Sequence, residues 1–98
     1  MKIFWSPLAI DRTIKIAEYI AQDNPSASAK WVENFFDKVH ILKSSPMSGR
    51  IVPEIHREDI RELIYGNYRI IYRLETKKVA ILTVRHGKQI LPIDEIKA

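Results

Sequence analysis

The amino-acid sequence predicts a small α+β domain with the element order β-α-α-β-β-β. Two observations carry this prediction. Two amphipathic stretches at helical spacing fill the first half of the chain, and three runs rich in β-branched and aromatic residues fill the second half. The first two runs flank Gly66-Asn67, a dipeptide suited to a two-residue hairpin turn, and a charged turn over residues 75–78 precedes the third. The three runs therefore predict an antiparallel meander.

The N-terminal residues predict a strand followed by a helix. Residues 2–5 alternate weakly and predict an edge strand, which Lys2 and the N-terminus help to blunt. Ser6-Pro7 combines a good N-cap with proline at the first helical position, so we expect a helix to start there. Apolar residues then recur at helical spacing: Ile10, Ile14, Ala17, Ile20 and Ala21.

A second helix is predicted directly after the first. Asn24-Pro25 repeats the pairing of a capping residue with proline, and so tight a connection predicts an antiparallel helical hairpin. The apolar stripe of this helix comprises Ala29, Val32, Phe35, Phe36, Val39 and Leu42. We expect the hairpin to cover one face of the sheet, and we expect residues 44–59 to form a long irregular loop.

The turns also predict the register of the sheet. A two-residue turn sets Tyr65 opposite Tyr68, and the second turn then sets Arg69 opposite Val84. Side chains alternate between faces, so one face is predicted to be largely apolar and to meet the helices. That face comprises Leu63, Tyr65, Tyr68, Ile70, Tyr72, Leu74, Val79 and Ile81. The other face mixes polar with apolar side chains: Glu62, Arg69, Arg73, His86, Ile64, Ile71, Leu82 and Val84.

Length and composition exclude several classes of protein. With 98 residues, the chain predicts a single domain over residues 1–98. It has no cysteine, which excludes disulfides and thiol catalysis and is typical of a cytoplasmic protein. No apolar run approaches the ~20 residues of a membrane span, so no membrane contact is expected. The net charge of +4 suits an anionic partner and equally suits ordinary solubility.

The landmarks of the chain, in their order and spacing, resemble the RelE/ParE family of bacterial toxins, and its ParE branch in particular. They are Trp5-Ser6-Pro7, Asp23-Asn24-Pro25, Pro46, Gly49-Arg50, Pro53-Glu54, Arg61-Glu62-Leu63, Tyr68-Arg69-Ile70-Ile71-Tyr72 and His86-Gly87. The resemblance implies the toxin of a type II toxin-antitoxin module, held in a hetero-oligomer by its cognate antitoxin. For the ParE branch it implies inhibition of DNA gyrase, and hence of replication, by binding and not by catalysis.

Two alternatives stay open. One is a RelE-like, ribosome-dependent endonuclease that cuts mRNA, and the other is an inactive homologue that only binds antitoxin. RNA cleavage needs a base, a cation to stabilise the phosphorane and an acid. The resemblance makes Arg69 the candidate cation, the predicted register places His86 on the same face, and Glu54 or Glu62 could serve as base. Ribonuclease members commonly have a tyrosine after the last strand, where this chain has Gly87-Lys88-Gln89.

Partner-binding candidates follow from the mixed face of the sheet. Arg73, Arg85 and Lys88 are basic residues near the sheet ends and the tail. Ile71, Leu82 and Val84 are expected to line an exposed apolar surface that a segment of the antitoxin covers, because such a surface is unfavourable in a free monomer. Neither a metal nor a cofactor is predicted, since the three histidines, His40, His56 and His86, have no carboxylate at ligand spacing.

Overall fold

The computed structural model describes residues 1–87 together with Gln89, Leu91, Pro92, Asp94 and Ile96. It confirms the α+β class and the predicted order, with one short strand added in the loop that follows the helices. The elements are β1 (Lys2–Trp5), α1 (Pro7–Asp23), α2 (Pro25–His40), a short 3-10 turn (Ile41–Lys43), β2 (Arg50–Ile51), β3 (Ile60–Tyr65), β4 (Tyr68–Leu74) and β5 (Lys78–His86).

Both helices begin as the sequence predicts. Ser6 Oγ accepts a hydrogen bond from the backbone N–H of Ala9 at 3.0 Å, and Asn24 Oδ1 accepts one from Ala27 at 3.0 Å. Each cap precedes a proline at the first helical position, where the missing N–H costs no hydrogen bond. Ser6 Oγ also donates to the carbonyl of Leu82 at 2.7 Å, which joins the start of α1 to β5.

The sheet has the strand order β1-β5-β4-β3-β2. The pairs β2–β3, β3–β4 and β4–β5 are antiparallel. β1 pairs in parallel with β5, from Lys2 opposite Lys78 to Trp5 opposite Ile81. The N-terminal strand is therefore at one edge of the sheet and the added strand β2 is at the other. β2 lies inside the loop that was predicted to be irregular, and that part of the prediction is wrong.

The predicted register is correct between β3 and β4 and only partly correct between β4 and β5. Tyr65 lies opposite Tyr68 as expected. A β-bulge shifts the β4–β5 register, however, because Ile71 pairs with Thr83 while Tyr72 pairs with Ile81, so that Leu82 has no residue directly opposite. Arg69 consequently faces Arg85, and not Val84, and His86 faces Tyr68.

Two apolar clusters cover the two faces of the sheet. The main core lies between the helical hairpin and the predicted apolar face, and Val84, moved there by the bulge, is part of it. The second core lies on the opposite face and is formed by Val52, Ile60, Ile71, Leu82, Leu91 and Ile96. Ile71, Leu82 and Val84 are only 0%, 3% and 1% exposed. Their predicted exposed surface is therefore wrong, because the chain covers these side chains itself.

Candidate functional site

Arg69, the candidate cation of the endonuclease alternative, lies in a cluster of four alternating charges, which we call the charged cluster: Arg50, Glu62, Arg69 and Glu54. Arg69 Nε donates to Glu62 Oε1 at 2.6 Å, while Arg69 Nη1 and Nη2 donate to the two carboxylate oxygens of Glu54 at 2.7 and 2.8 Å. Arg50 Nε donates to the other oxygen of Glu62 at 2.6 Å. The three strands β2, β3 and β4, together with the loop between β2 and β3, thus supply a network of two positive and two negative groups.

The electrostatics of the charged cluster follow from this geometry. The hydrogen bonds that Arg69 donates to Glu54 and to Glu62 raise the pKa of Arg69. In turn, the Arg69 guanidinium lowers the pKa of the Glu54 carboxyl. The Glu62 side chain is 0% exposed and that of Arg69 is 7% exposed. Every nitrogen of Arg69 donates to a carboxylate, and the charge of the cluster sums to zero. The charged cluster therefore acts as a clamp that joins the sheet to the loop that carries Glu54. The positive charge of Arg69 is already compensated and is not available to stabilise a phosphorane.

His86 does not join the charged cluster. It lies directly opposite Tyr68, and the two rings meet edge to face with centroids 5.7 Å apart. Directly opposed residues project to the same face and successive residues to opposite faces, so His86 is on the helix side of the sheet and Arg69 on the other. Both border a small hollow of ≈ 210 Å³ beside the hairpin turn. The structure thus brings Glu54 to Arg69, as a ribonuclease would require, but not His86, and the predicted common face of Arg69 and His86 is wrong.

The basic partner-binding candidates are also separated. Arg73 Nη2 donates to Glu75 Oε2 at 3.1 Å near the end of β4, whereas Arg85 lies opposite Arg69, toward the other end of that strand. Lys88 lies outside the described residues. Arg73 and Arg85 are therefore at opposite ends of β4 and do not form one surface.

An apolar groove lies between α1 and α2, and no prediction from the sequence included it. The groove encloses ≈ 550 Å³ and is lined chiefly by Trp5, Ile10, Ile14, Ala17, Val32 and Phe36. Ile10, Ile14 and Phe36 remain 46%, 52% and 47% exposed. The adjacent pair Phe35-Phe36 was the available signal, because neighbouring residues of a helix cannot both face the sheet. Phe35 is indeed buried in the main core while Phe36 faces the groove.

Among the described residues, every helix is too short or too polar to span a lipid bilayer. No three histidine, aspartate or glutamate side chains in this part of the chain come together in an arrangement that could hold a metal ion.

Comparisons with known proteins agree with each other. A family model described as the ParE toxin of the type II toxin-antitoxin system parDE matches residues 3–91. A relative from Sinorhizobium fredii (strain NBRC 101917 / NGR234), named "Putative toxin Y4kP", is 36% identical over 93 residues, which is 93% of this chain and 93% of the relative. A solved structure described as the chromosomal ParDE TA system from P. aeruginosa has a TM-score of 0.74 at 20% identity, covering 90% of this chain and 97% of its own.

Proposed function

The chain belongs to the ParE toxin family of type II toxin-antitoxin systems, and we propose that it inhibits DNA gyrase by binding to it and is neutralised when an antitoxin binds first. Gyrase acts on the bacterial chromosome, so the proposed place of action is the cytoplasm. The proposal assigns the toxin an interaction surface and no catalytic centre.

The observation that carries the proposal is the state of Arg69. An RNA-cleaving site would need a cation free to stabilise the pentacovalent phosphorane. Here the guanidinium is 7% exposed and held by carboxylates on every nitrogen. His86, the candidate acid, is on the opposite face of the sheet. This arrangement favours inhibition by binding over RNA cleavage.

The apolar groove supports an antitoxin as partner. Its exposed isoleucines on α1 and Phe36 on α2 line one groove between the two helices, and such an apolar groove suits the apolar side of an amphipathic helix. Leaving these side chains in water is unfavourable, and a bound helix would bury them. We therefore propose a toxin-antitoxin hetero-oligomer in which an amphipathic antitoxin helix occupies the apolar groove.

The test uses the purified full chain without antitoxin in two parallel assays, gyrase supercoiling and translation of a labelled message on ribosomes. Inhibited supercoiling with intact message is the expected result. Message cut on the ribosome with gyrase unaffected would overturn the proposal in favour of an endonuclease. No effect in either assay, with antitoxin binding retained, would identify an inactive homologue that only binds antitoxin.

A further inference from the structure

One charged side chain lies on the wall of the apolar groove. Among the described residues that line the groove, Glu18 is the only one with a charge. It follows Ile14 by four residues, so the two side chains are neighbours on the same face of α1. Glu18 is exposed, and its carboxylate is therefore accessible to a molecule that occupies the groove.

The carboxylate of Glu18 forms no ion pair within the described part of the chain. Lys15, three residues earlier, is at a spacing that allows a pair on a helix, but Lys15 Nζ lies 3.0 Å from Asp11 Oδ2 instead. The negative charge of Glu18 is therefore left for a partner. An apolar surface that covered the groove would remove water from this carboxylate, which is unfavourable unless another group replaces the water.

The groove has a defined length and its two walls are joined. Ser28 Oγ donates to the carbonyl of Ala17 at 2.6 Å, which holds α2 against α1 beside Glu18. The lining residues of α1 extend from Ile10 to Ala21, which is about 16 Å at a rise of 1.5 Å per residue and matches roughly three turns of an occupying helix. A helix seated there would meet the carboxylate of Glu18 at one defined place along its length.

We propose that Glu18 is a specificity-determining residue for the antitoxin, and that the helix in the groove carries a lysine or arginine one turn from an apolar side chain that packs on Ile14. The basic side chain would pair with Glu18 while the groove is covered. An acidic or apolar residue at the same place would leave the carboxylate repelled or unpaired, so Glu18 also rejects mismatched helices. This inference rests on the proposed function, in which an antitoxin helix occupies the apolar groove.

The first experiment uses three fluorescein-labelled helical peptides that share one leucine stripe and differ in the residues that flank it. The flanking residues are all lysine, all glutamate or all glutamine, so the comparison does not depend on the register of docking. We expect the parent to bind the lysine peptide roughly tenfold more tightly than the glutamate peptide. The net charge of +4 favours the opposite order, so attraction to the protein as a whole would not produce this result.

The variant Glu18→Lys should reverse the order of the two charged peptides. Glu33→Lys is the matched control, because it makes the same change of charge at an exposed position of α2 outside the groove, and it should keep the order of the parent. Each change replaces an exposed side chain, so the thermal unfolding midpoint should stay within about 4 °C of the parent. No preference in the parent, or an equal shift in both variants, would overturn the inference.

The peptide results also separate the inference from the proposed function. Binding of the glutamine peptide that Ile14→Glu abolishes, with no preference between the charged peptides, would leave the groove as a helix site and refute the role of Glu18. Failure of all three peptides to bind would overturn both the helix site and the inference. A charge preference in a parent that leaves gyrase active would support Glu18 while the proposed target fails.

A charge swap in the toxin-antitoxin complex tests the pairing directly. We expect Glu18→Lys to weaken the affinity for the cognate antitoxin by roughly tenfold, and replacement of one lysine or arginine of the antitoxin helix by glutamate to restore it. Unchanged affinity in Glu18→Lys, or restoration by no basic position of the antitoxin, would overturn the inference.

Discussion

Arg69 Nε lies 2.6 Å from Glu62 Oε1, diagonally across β4 and β3, with the two side chains 7% and 0% exposed. A diagonal pair of opposite charges on a sheet is ordinarily worth ~0.2 to 1 kcal/mol. This pair differs because water cannot replace either partner and because each residue holds a second ion partner, Glu54 or Arg50. The three strands β2, β3 and β4 and the loop between β2 and β3 are consequently joined by one charge network.

Removing one member of the Arg69–Glu62 pair should destabilise the fold. We expect Glu62→Ala or Arg69→Ala to lower the free energy of unfolding by about 1–3 kcal/mol, because the buried partner that remains loses one charge-assisted hydrogen bond and keeps only its second partner, Glu54 or Arg50. Urea titration followed by circular dichroism measures the effect. The exposed pair Asp11–Lys15 provides the control, and Asp11→Ala should cost less than about 1 kcal/mol. Equal small losses in all three variants would contradict the structural role of the network.

Acid should weaken the clamp between Glu54 and Arg69. The folded-state pKa of Glu54 is below its ordinary value of 4.5, chiefly because Arg69 donates to its carboxylate. The unfolded chain therefore takes up this proton first as the pH falls. The contribution of Glu54 to stability is complete above pH 4.5 and is lost as the pH falls through the folded-state pKa.

Unfolding curves recorded between neutral and acid pH test this prediction. Glu54→Gln should flatten the fall in stability below pH 4.5, whereas Glu33→Gln, on the exposed side of α2, should leave the slope as it is. An acid limb that is the same in Glu54→Gln and the parent would contradict the assignment.

The loop before β2 should not tolerate a side chain at Gly49. A Cβ there would lie 2.7 Å from the carbonyl oxygen of Glu62 and would also collide with the Tyr72 ring. We expect Gly49→Ala to cost about 1–3 kcal/mol of stability, as overpacking does elsewhere. Thermal unfolding of the variant and the parent gives the comparison, and an unchanged midpoint would show that the loop can move away.

Removing the hydroxyl group of Tyr72, with the ring left in place, should by itself destabilise the fold. The hydroxyl oxygen accepts from the N–H of Gly49 at 2.9 Å and donates to the carbonyl of Pro46 at 2.8 Å. Tyr72→Phe leaves both backbone groups without this partner and should cost about 1–3 kcal/mol. Tyr19→Phe, on a side chain that is 69% exposed, should cost almost nothing in the same unfolding assay.

The apolar groove should control antitoxin binding. Ile14→Glu puts a carboxylate at the proposed helix contact, and we expect antitoxin affinity to fall by roughly a hundredfold with little change in stability. Ile41→Glu, at a similarly exposed isoleucine outside the groove, is the control. Calorimetric titration with the cognate antitoxin measures the affinity of both variants. Equal affinities for Ile14→Glu and Ile41→Glu would contradict the prediction. Leu82→Glu should instead destabilise the fold, because Leu82 is 3% exposed in the second core.

Local signals in the sequence were sufficient for most of the fold. Ser6-Pro7 and Asn24-Pro25 mark both helix starts because capping and proline chemistry act within one turn. Gly66 adopts a φ of 58°, as the predicted hairpin turn requires, and this turn fixes the β3–β4 register. These features depend on neighbours a few residues away, which a single sequence displays directly.

Long-range packing was not predictable in the same way. The bulge at Leu82 changes the face of every later residue of β5, and no glycine or proline marks it. The covering of Ile71 by Val52, Leu91 and Ile96 depends on two short segments that are distant from it in the chain and have no regular hydrophobic period. The candidate site was affected most. The predicted meeting of Arg69 with His86 assumed a regular β5, and the predicted apolar surface assumed that no other segment of the chain covers that face of the sheet.

The parallel pairing of β1 with β5 has a consequence for how the protein is made. Ser6 is hydrogen-bonded to Leu82, which is 76 residues further along the chain. The residues of β1 are a similar distance in sequence from their partners in β5. At a synthesis rate of roughly 5–20 residues per second, β1 leaves the ribosome about 4 to 15 s before the strand it pairs with. A nascent chain therefore contains the helical hairpin well before it contains a complete sheet. Whatever its target, the domain becomes competent only when β5 has emerged, so translation itself sets a delay between starting the message and having a finished toxin.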